Sequence, residues 1–143
     1  MSELRLETAP LSEAVTEGIR VEVISRHVPE QSRPGQGEWV FEYTVRITNQ
    51  SAQTVQLISR RWIITDALDH IHEVQGPGVI GKQPILEPGQ SFKYSSWCPL
   101  KTPTGMMHGT YQMVRPASAP GESPVEFDVE VAPFALKARY TIH

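Results

Sequence analysis

Trp39-Val-Phe-Glu-Tyr-Thr-Val-Arg-Ile-Thr-Asn49 is a run in which large apolar and polar side chains alternate with a period of two. The apolar positions are Trp39, Phe41, Tyr43, Val45 and Ile47, and the polar ones are Glu42, Thr44, Arg46 and Thr48. Successive side chains of a β-strand point to opposite faces, whereas a helix would distribute these residues around its circumference. The run therefore predicts a strand with one buried face.

Similar alternation recurs on both sides of this run, between stretches rich in turn residues. The further candidate strands are Ile19–Val23, Val55–Thr65, His70–Val74, Phe92–Ser96, Tyr111–Met113 and Phe127–Val131. No stretch has a helical period. About seven short strands separated by turns are typical of a sandwich or barrel, and strands with one apolar face favour a sandwich. We therefore predict an all-β, immunoglobulin- or fibronectin type III-like two-sheet β-sandwich of about seven strands or more. Its core is expected to bury most of the side chains of Phe41, Tyr43, Val45, Trp62, Phe92, Tyr94, Tyr111, Phe127 and Val129.

The candidate strand Val55–Thr65 leaves two interpretations open. The odd-numbered positions, which share one face of a regular strand, include Val55, Leu57, Ile63 and Arg61. The even-numbered positions on the other face include Ile58, Trp62, Ile64 and Arg60. Either both faces of the strand are covered, or a bulge switches its phase. Which of the two arginines faces solvent stays open with that choice.

The composition is that of one globular domain. The chain has 143 residues, 39% hydrophobic and 20% charged, with a formal net charge of −3. We assign residues 1–15 to a flexible N-terminal arm and residues 16–143 to the domain. The mild negative charge argues against nucleic acid binding, and the apolar runs are too short to span a membrane. One cysteine, Cys98, and an acidic start unlike a secretion signal predict a cytoplasmic protein.

Ordered segments across residues 16–143 carry a family resemblance. They include Phe41–Asn49, Gln56–Asp66, Glu73–Pro84, Leu86–Gly89, Thr102–Gly105, Gly109–Met113 and the ending Ile142-His143. Together they resemble the ApaG domain family. The resemblance implies an immunoglobulin-like sandwich, no established enzymatic activity, a role as a binding module in eukaryotic proteins, and a link of bacterial members to cobalt and magnesium tolerance. Trp97, Cys98, His70 and His72 depart from the usual family pattern.

Gly76, Gly78 and Gly81 have the spacing G-x-G-x-x-G. In a dinucleotide-binding fold this motif joins a strand to a helix whose N-terminus holds the pyrophosphate. Pro84 and Pro88 follow here, and proline is excluded from a helix interior. The glycines therefore indicate turns between strands.

A weaker hypothesis remains for the same glycine loop. Successive backbone amides can form an anion-binding nest. Gly76, Gly78 and Gly81 would supply the amides, and Lys82 together with Arg60 and Arg61 would supply positive charge. We retain these residues as candidate ligand-binding residues.

Asp66, His70 and His72 share parity, which would place both imidazoles and the carboxylate on one face of a strand. Two imidazoles with a carboxylate suit a divalent transition metal such as cobalt. An ordinary solvent-facing hairpin explains the same residues more simply, so we expect no cofactor. If a metal binds at all, these three are the candidate ligands.

The sequence contains no recognisable catalytic constellation. Cys98 precedes Pro99 and has no basic neighbour, so it is interpreted as a small hydrophobic residue. Trp97, which we place at a strand end, is a candidate anchor for a partner. We therefore predict a non-catalytic binding module that engages a protein partner or a small anion. The alternative is a metal- or nucleotide-handling protein linked to cobalt and magnesium tolerance. The partner's identity and the oligomeric state stay open.

The glycine loop is expected not to bind NAD, ATP or GTP as a Rossmann or P-loop site does. It lacks the following helix, and no Gly-Lys-Ser/Thr sequence closes it. Isothermal titration calorimetry with each nucleotide is expected to show no saturable heat. Stoichiometric binding that disappears when Gly78 is substituted would contradict this prediction.

Overall fold

The computed structural model describes residues 10–138, which form nine β-strands and no α-helix. The strands are β1 (Ser12–Thr16), β2 (Ile19–His27), β3 (Trp39–Asn49), β4 (Val55–Asp66), β5 (Ile71–Pro77), β6 (Ile85–Leu86), β7 (Ser91–Leu100), β8 (Thr104–Arg115) and β9 (Val125–Lys137). Two short 3₁₀ turns, Pro29–Gln31 and Pro34–Gln36, lie in the loop before β3. No helix in the described part of the chain is long and apolar enough to cross a membrane. The all-β prediction is confirmed.

The strands form two antiparallel sheets that face each other. One sheet has the order β1-β2-β3-β7, and the other has the order β5-β4-β8-β9, with β6 also paired to β4. The first sheet follows directly from the alternation in β3, because Val45 is paired with Val23 of β2 and with Tyr94 of β7. All three side chains are buried. The predicted two-sheet sandwich is therefore confirmed.

Aromatic side chains from both sheets meet in the core. The Trp62 ring stands edge-on to the rings of Tyr43, Tyr111 and Phe134, at centroid distances of 5.5, 5.9 and 6.1 Å. Edge-to-face pairs of this kind add to the free energy gained by burial. The predicted core residues Phe41, Tyr43, Val45, Trp62, Tyr94, Tyr111 and Val129 are all buried.

Two predicted core residues, Phe92 and Phe127, are only partly buried. Phe92 lies on β7, which is an edge strand and is therefore covered on one side only. Phe127 lies near the start of β9, where the Arg115 guanidinium stacks 4.1 Å from the ring centroid. Both rings still pack against the core, so the prediction that they are mostly buried is confirmed, with the exposed remainder explained by their places at the margins of the sheets.

A β-bulge in β4 resolves the ambiguity of that strand. The register with β8 shifts between Leu57 and Ser59. Val55 and Leu57 are buried before the shift, and Trp62, of the opposite parity, is buried after it. The second interpretation, a bulge that switches phase, is therefore confirmed.

Some predicted boundaries were wrong. β1 includes Ser12–Thr16, so the end of the predicted arm 1–15 belongs to a sheet, paired with Ile19–Val23. Trp97 lies within β7 rather than at a strand end, because β7 continues through Pro99 to Leu100. Residues 1–9 of the arm and the ending Ile142-His143 lie outside the described residues.

Replacing Phe41 with alanine is expected to lower the free energy of unfolding by about 3–5 kcal/mol, since the ring is fully buried between the sheets. The matched control is Trp97→Ala, because Trp97 is 46% exposed and its loss is expected to cost about 0.5 kcal/mol or less. Urea titration measures both. Equal losses for the two variants would contradict the assigned faces of β3.

Candidate functional site

The sandwich is closed along one side and open along the other. On the closed side β1 and β2 pack against β9. There the Thr16 hydroxyl accepts the backbone N–H of Glu130 at 3.1 Å, and the Ser25 hydroxyl donates to the Ala135 carbonyl at 2.9 Å. On the open side, where β5 and β7 are the sheet edges, a cleft of about 1040 Å³ remains.

The floor of this cleft is the inward face of β4 after the bulge. Arg60, Trp62, Ile64 and Asp66 all line it at every second position. Residues six positions apart in a strand are separated by roughly 20 Å. The cleft therefore runs lengthwise along β4, with a cation at one end and a carboxylate at the other.

The walls come from the two edge strands. On β5, Val74 stands opposite Trp62 and His72 stands opposite Ile64. On β7 the lining residues are Ser96, Trp97, Cys98, Pro99 and Leu100. Most of the lining is apolar, with a few polar groups among it, which is the usual composition of a ligand pocket.

Trp62 carries a buried donor without an acceptor. Its side chain is 2% exposed, and its Nε1 makes no hydrogen bond within the described residues. The Cε3 edge of the indole faces β8, because a Cβ added at Gly109 would lie 3.1 Å from it. The Nε1 edge is on the other side of the ring. A buried N–H without a partner is costly and calls for an explanation.

Arg60 brings a positive charge to the same end of the cleft. Its Nη1 donates to the carbonyls of Pro77 and Gly78, at 3.0 and 2.9 Å, and its guanidinium lies against Gly76. Among residues 10–138 no carboxylate forms an ion pair with it. Arg60 also borders a smaller adjoining cavity of about 370 Å³. The charge is therefore directed toward the cleft and is not neutralised by the chain around it.

Arg61 lies on the opposite face of β4. Its side chain is 49% exposed, and its Nε donates to Glu73 Oε1 at 2.7 Å. The structure therefore separates the two arginines that the sequence hypothesis had grouped in one ligand site. Arg60 faces the cleft, and Arg61 faces solvent in an ion pair.

The glycine loop is a turn. The Gly78 N–H donates to the Ile58 carbonyl at 2.8 Å, and Val79 and Lys82 exchange two backbone hydrogen bonds. A Cβ at Gly78 would lie 2.2 Å from the Lys82 carbonyl oxygen, and Gly81 has a φ of 78°. These constraints account for the glycines structurally. Because the Gly78 amide is already engaged, the predicted anion-binding nest lacks one of its donors.

The predicted metal trio is not assembled. Asp66 Oδ1 accepts the backbone N–H groups of Leu68 and His70 at 2.8 and 3.0 Å, and Oδ2 lies 3.4 Å from His70 Nδ1. Burial raises the pKa of Asp66, but these N–H donors and the two nearby histidines outweigh it, and the net shift is downward. Between residues 10 and 138, no three His, Cys, Asp or Glu side chains form a group able to hold a metal. Asp66 therefore serves as a turn cap.

Tyr43 is a site residue that the sequence assigned only to the core. It lines both cavities beside Arg60, and burial raises the pKa of its phenol, so that it stays a neutral donor. The sequence could have placed Arg60 in the site, because Arg60 and Trp62 are both even-numbered and share one face of β4 after the bulge. No sequence signal reports that Trp62 Nε1 lacks an acceptor, because that depends on packing between the sheets.

Comparisons with known proteins agree on one family. A model described as the ApaG domain matches residues 29–115. "Protein ApaG" of Bordetella pertussis is 50% identical over 125 residues, covering 87% of this chain and 91% of that protein. "Protein ApaG" of Anaeromyxobacter sp. (strain K) is 52% identical over 133 residues, covering 93% of this chain and all of that protein.

Solved structures agree with these matches. The crystal structure of an ApaA protein from Bordetella pertussis superimposes with a TM-score of 0.76 at 49% identity, covering 86% of this chain and 95% of that one. The crystal structure of the C-terminal domain of wzt has a TM-score of 0.54 at 8% identity, covering 95% of this chain and 85% of that one. The second likeness concerns the fold alone.

Cys98, in the cleft wall, is expected to react slowly with a disulfide reagent in the folded protein. Burial raises the pKa of its thiol to about 11, so only about one molecule in a thousand is a thiolate at pH 8. The folded rate is expected to be at least about 100-fold below the rate in urea, and to rise about tenfold per pH unit below pH 11. Stopped-flow absorbance with Ellman's reagent measures both rates. Equal rates would contradict the burial of this thiol.

Proposed function

The chain belongs to the ApaG domain family, and we propose that it acts as a non-catalytic binding module whose ligand occupies the cleft between β5 and β7. The observation that carries this proposal is the cleft itself, which lies between two strand edges and contains the Arg60 guanidinium, unpaired with any carboxylate of the described chain. Its volume of about 1040 Å³ is at the upper end of the usual range for ligand pockets. A partner segment and a smaller anionic ligand both fit a site of this kind.

The chemistry of the lining supports binding over catalysis. A nucleophile needs an adjacent base or a lowered pKa. The pKa of the Cys98 thiol is raised by burial, and the Asp66 carboxylate is occupied by the backbone of its own turn. These groups can contribute shape and charge to a ligand site. The single buried thiol also supports the cytoplasmic location that we propose for the protein.

Within residues 10–138 no strand pairs with the outer edge of β5, which offers backbone groups to a partner. The bonds from Asp66 N–H to the His70 carbonyl and from Gly78 N–H to the Ile58 carbonyl mark the hydrogen-bonded pairs of the β4–β5 ladder. In an antiparallel ladder these pairs alternate with residues whose N–H and C=O point away. On β5 the outward-pointing residues are Ile71, Glu73 and Gln75. An extended segment of a protein partner can pair with such an edge.

The free edge of β7 lies across the cleft. The Asn49 N–H donates to the Gln90 carbonyl at 2.9 Å, which marks a hydrogen-bonded pair at the start of the β3–β7 ladder. By the same alternation, Ser95 and Trp97 direct their backbone groups away from β3. Trp97 is also 46% exposed at the rim of the cleft. It is therefore placed to contact a partner that enters from this side.

Divalent-cation handling, linked to cobalt and magnesium tolerance, is the alternative function and has less support. Asp66 has one oxygen already committed to two N–H groups, and its other oxygen lies 3.4 Å from a ring nitrogen of His70, one of the two predicted histidine ligands. A cobalt titration of the wild type against His70→Ala/His72→Ala at matched pH tests this alternative directly.

Filling the cleft tests the proposed function. Val74 lines the cleft opposite Trp62 and is 40% exposed, so Val74→Trp is expected to block the cleft without disturbing the core. The matched control is Glu130→Trp, at an exposed position of β9 on the closed side of the sandwich. Ligands retained from cytoplasmic extract, both proteins and small molecules, are identified by mass spectrometry. We expect Val74→Trp to lose at least about 90% of the ligand that the wild type and the control retain, about a tenfold loss of binding.

Equal retention by all three proteins would contradict binding in the cleft. Thermal unfolding of both variants is measured alongside, so that loss of the fold is not mistaken for loss of the site.

A further inference from the structure

The end of the cleft formed by Arg60 and Trp62 carries an unpaired positive charge. The two residues are alternate members of the inward face of β4, so their Cα atoms lie roughly 6–7 Å apart. The hydroxyl of Tyr43 lies beside them and is hydrogen-bonded to the side chain of Ser96. No carboxylate of the described chain pairs with the guanidinium, as shown above. This end of the cleft is therefore complementary to a group rich in acceptors.

Trp62 forms part of the cleft floor beside Arg60. Its Nε1 has no hydrogen-bond partner within residues 10–138, but that atom is itself buried beneath the cleft surface. The indole therefore offers a ligand an aromatic surface, and its N–H signal reports what binds next to it.

Arg60 determines the chemistry of the ligand's polar end. Nη1 is engaged by the two carbonyls of the glycine loop, but the Nε and Nη2 groups make no hydrogen bond within the described chain. A guanidinium with these groups free is suited to a planar carboxylate or a phosphate. The carbonyls hold the side chain in place, so little entropy is lost when an anion binds.

The rest of the cleft specifies the remainder of the ligand. Beyond Trp62 the lining includes Ile64, Val74, Leu100 and Met107, which offer an apolar surface. The far end holds the carboxylates of Asp66 and Glu38 with one ammonium, that of Lys101. A second anionic group there would meet net negative charge, so the arrangement favours a ligand that is anionic at one end only.

We propose that the cleft binds an amphipathic anion, with its carboxylate or phosphate head on Arg60 and its apolar body along Trp62, Ile64 and Val74. This inference rests on the proposed function, because it names the ligand chemistry of the same cleft. A small metabolite and the carboxyl terminus of a peptide share that chemistry.

The indole N–H signals of ¹⁵N-labelled protein give a direct readout. The probes are 4-phenylbutyrate, its neutral counterpart 4-phenylbutanol, phenethyl phosphate and inorganic pyrophosphate. Pyrophosphate is included as an anion that has no apolar part. We expect 4-phenylbutyrate or phenethyl phosphate to shift the Trp62 indole N–H signal in a saturable titration, because Trp62 lines the cleft. Trp39, which does not line the cleft, is the internal reference. N-acetyl-Leu-Phe as free acid and as amide separates a peptide terminus from a small metabolite.

The arginines supply a matched pair of variants. Arg60→Gln is expected to weaken the anionic probes at least tenfold, about 1.4 kcal/mol, and to leave 4-phenylbutanol unchanged. Arg61→Gln, on the solvent face, is expected to leave both unchanged. Arg60→Lys keeps the charge and is expected to restore part of the affinity. The dispersion of the amide spectrum shows that each variant is folded.

Three results would overturn the inference. They are equal affinity for 4-phenylbutanol and 4-phenylbutyrate, equal affinity for pyrophosphate alone, and no shift of the Trp62 signal up to about 10 mM probe. If these occur while Val74→Trp still abolishes ligand retention from extract, the proposed function stands and only the ligand chemistry is wrong. If Val74→Trp also retains every ligand, the cleft is not the binding site and both proposals fail.

Discussion

The bulge between Leu57 and Ser59 is the constraint on which the rest of this structure depends. One extra residue in β4 exchanges the two faces of the strand. Without it, the parity that buries Val55 and Leu57 would also turn Arg61 inward and Trp62 outward. The largest aromatic ring of the core would then lie in water. The bulge thus serves the core at one end of β4 and the cleft at the other.

The two sides of the sandwich have different roles. Along the closed side, β9 packs against β1 and β2, and side-chain hydroxyls tie the two sheets together. Along the open side the edges of β5 and β7 are left apart, and polar groups enter between them. A rigid closed side holds those groups in fixed positions, which reduces the cost of organising a binding site. The binding role that we propose follows from this asymmetry.

Alternation was sufficient to predict the first sheet but not the cleft. In β3 every second residue from Phe41 to Ile47 is buried, and the sequence shows it directly. Pro84 and Pro88 were equally informative, because they excluded a helix after the glycine loop. The sequence predicted the bulge only as one of two interpretations of β4, since neither Ile58 nor its neighbours are residue types that indicate a bulge. The position of Trp97 in an edge strand could not be predicted from the sequence, because the pairing of strands that are distant in sequence decides which strands lie at the edges.

The free edges of β5 and β7 carry a consequence for the protein in solution. Unpaired strand edges are templates for the strands of other molecules, and many proteins protect theirs with charges, prolines or covering loops. Here Pro77 and Pro99 stand in the two edge strands, and the ion pair of Glu73 with Arg61 flanks one of them. A ligand bound between the two edges would cover the backbone groups that the prolines and the ion pair leave exposed. The binding that we propose would therefore also protect these edges from pairing with other molecules.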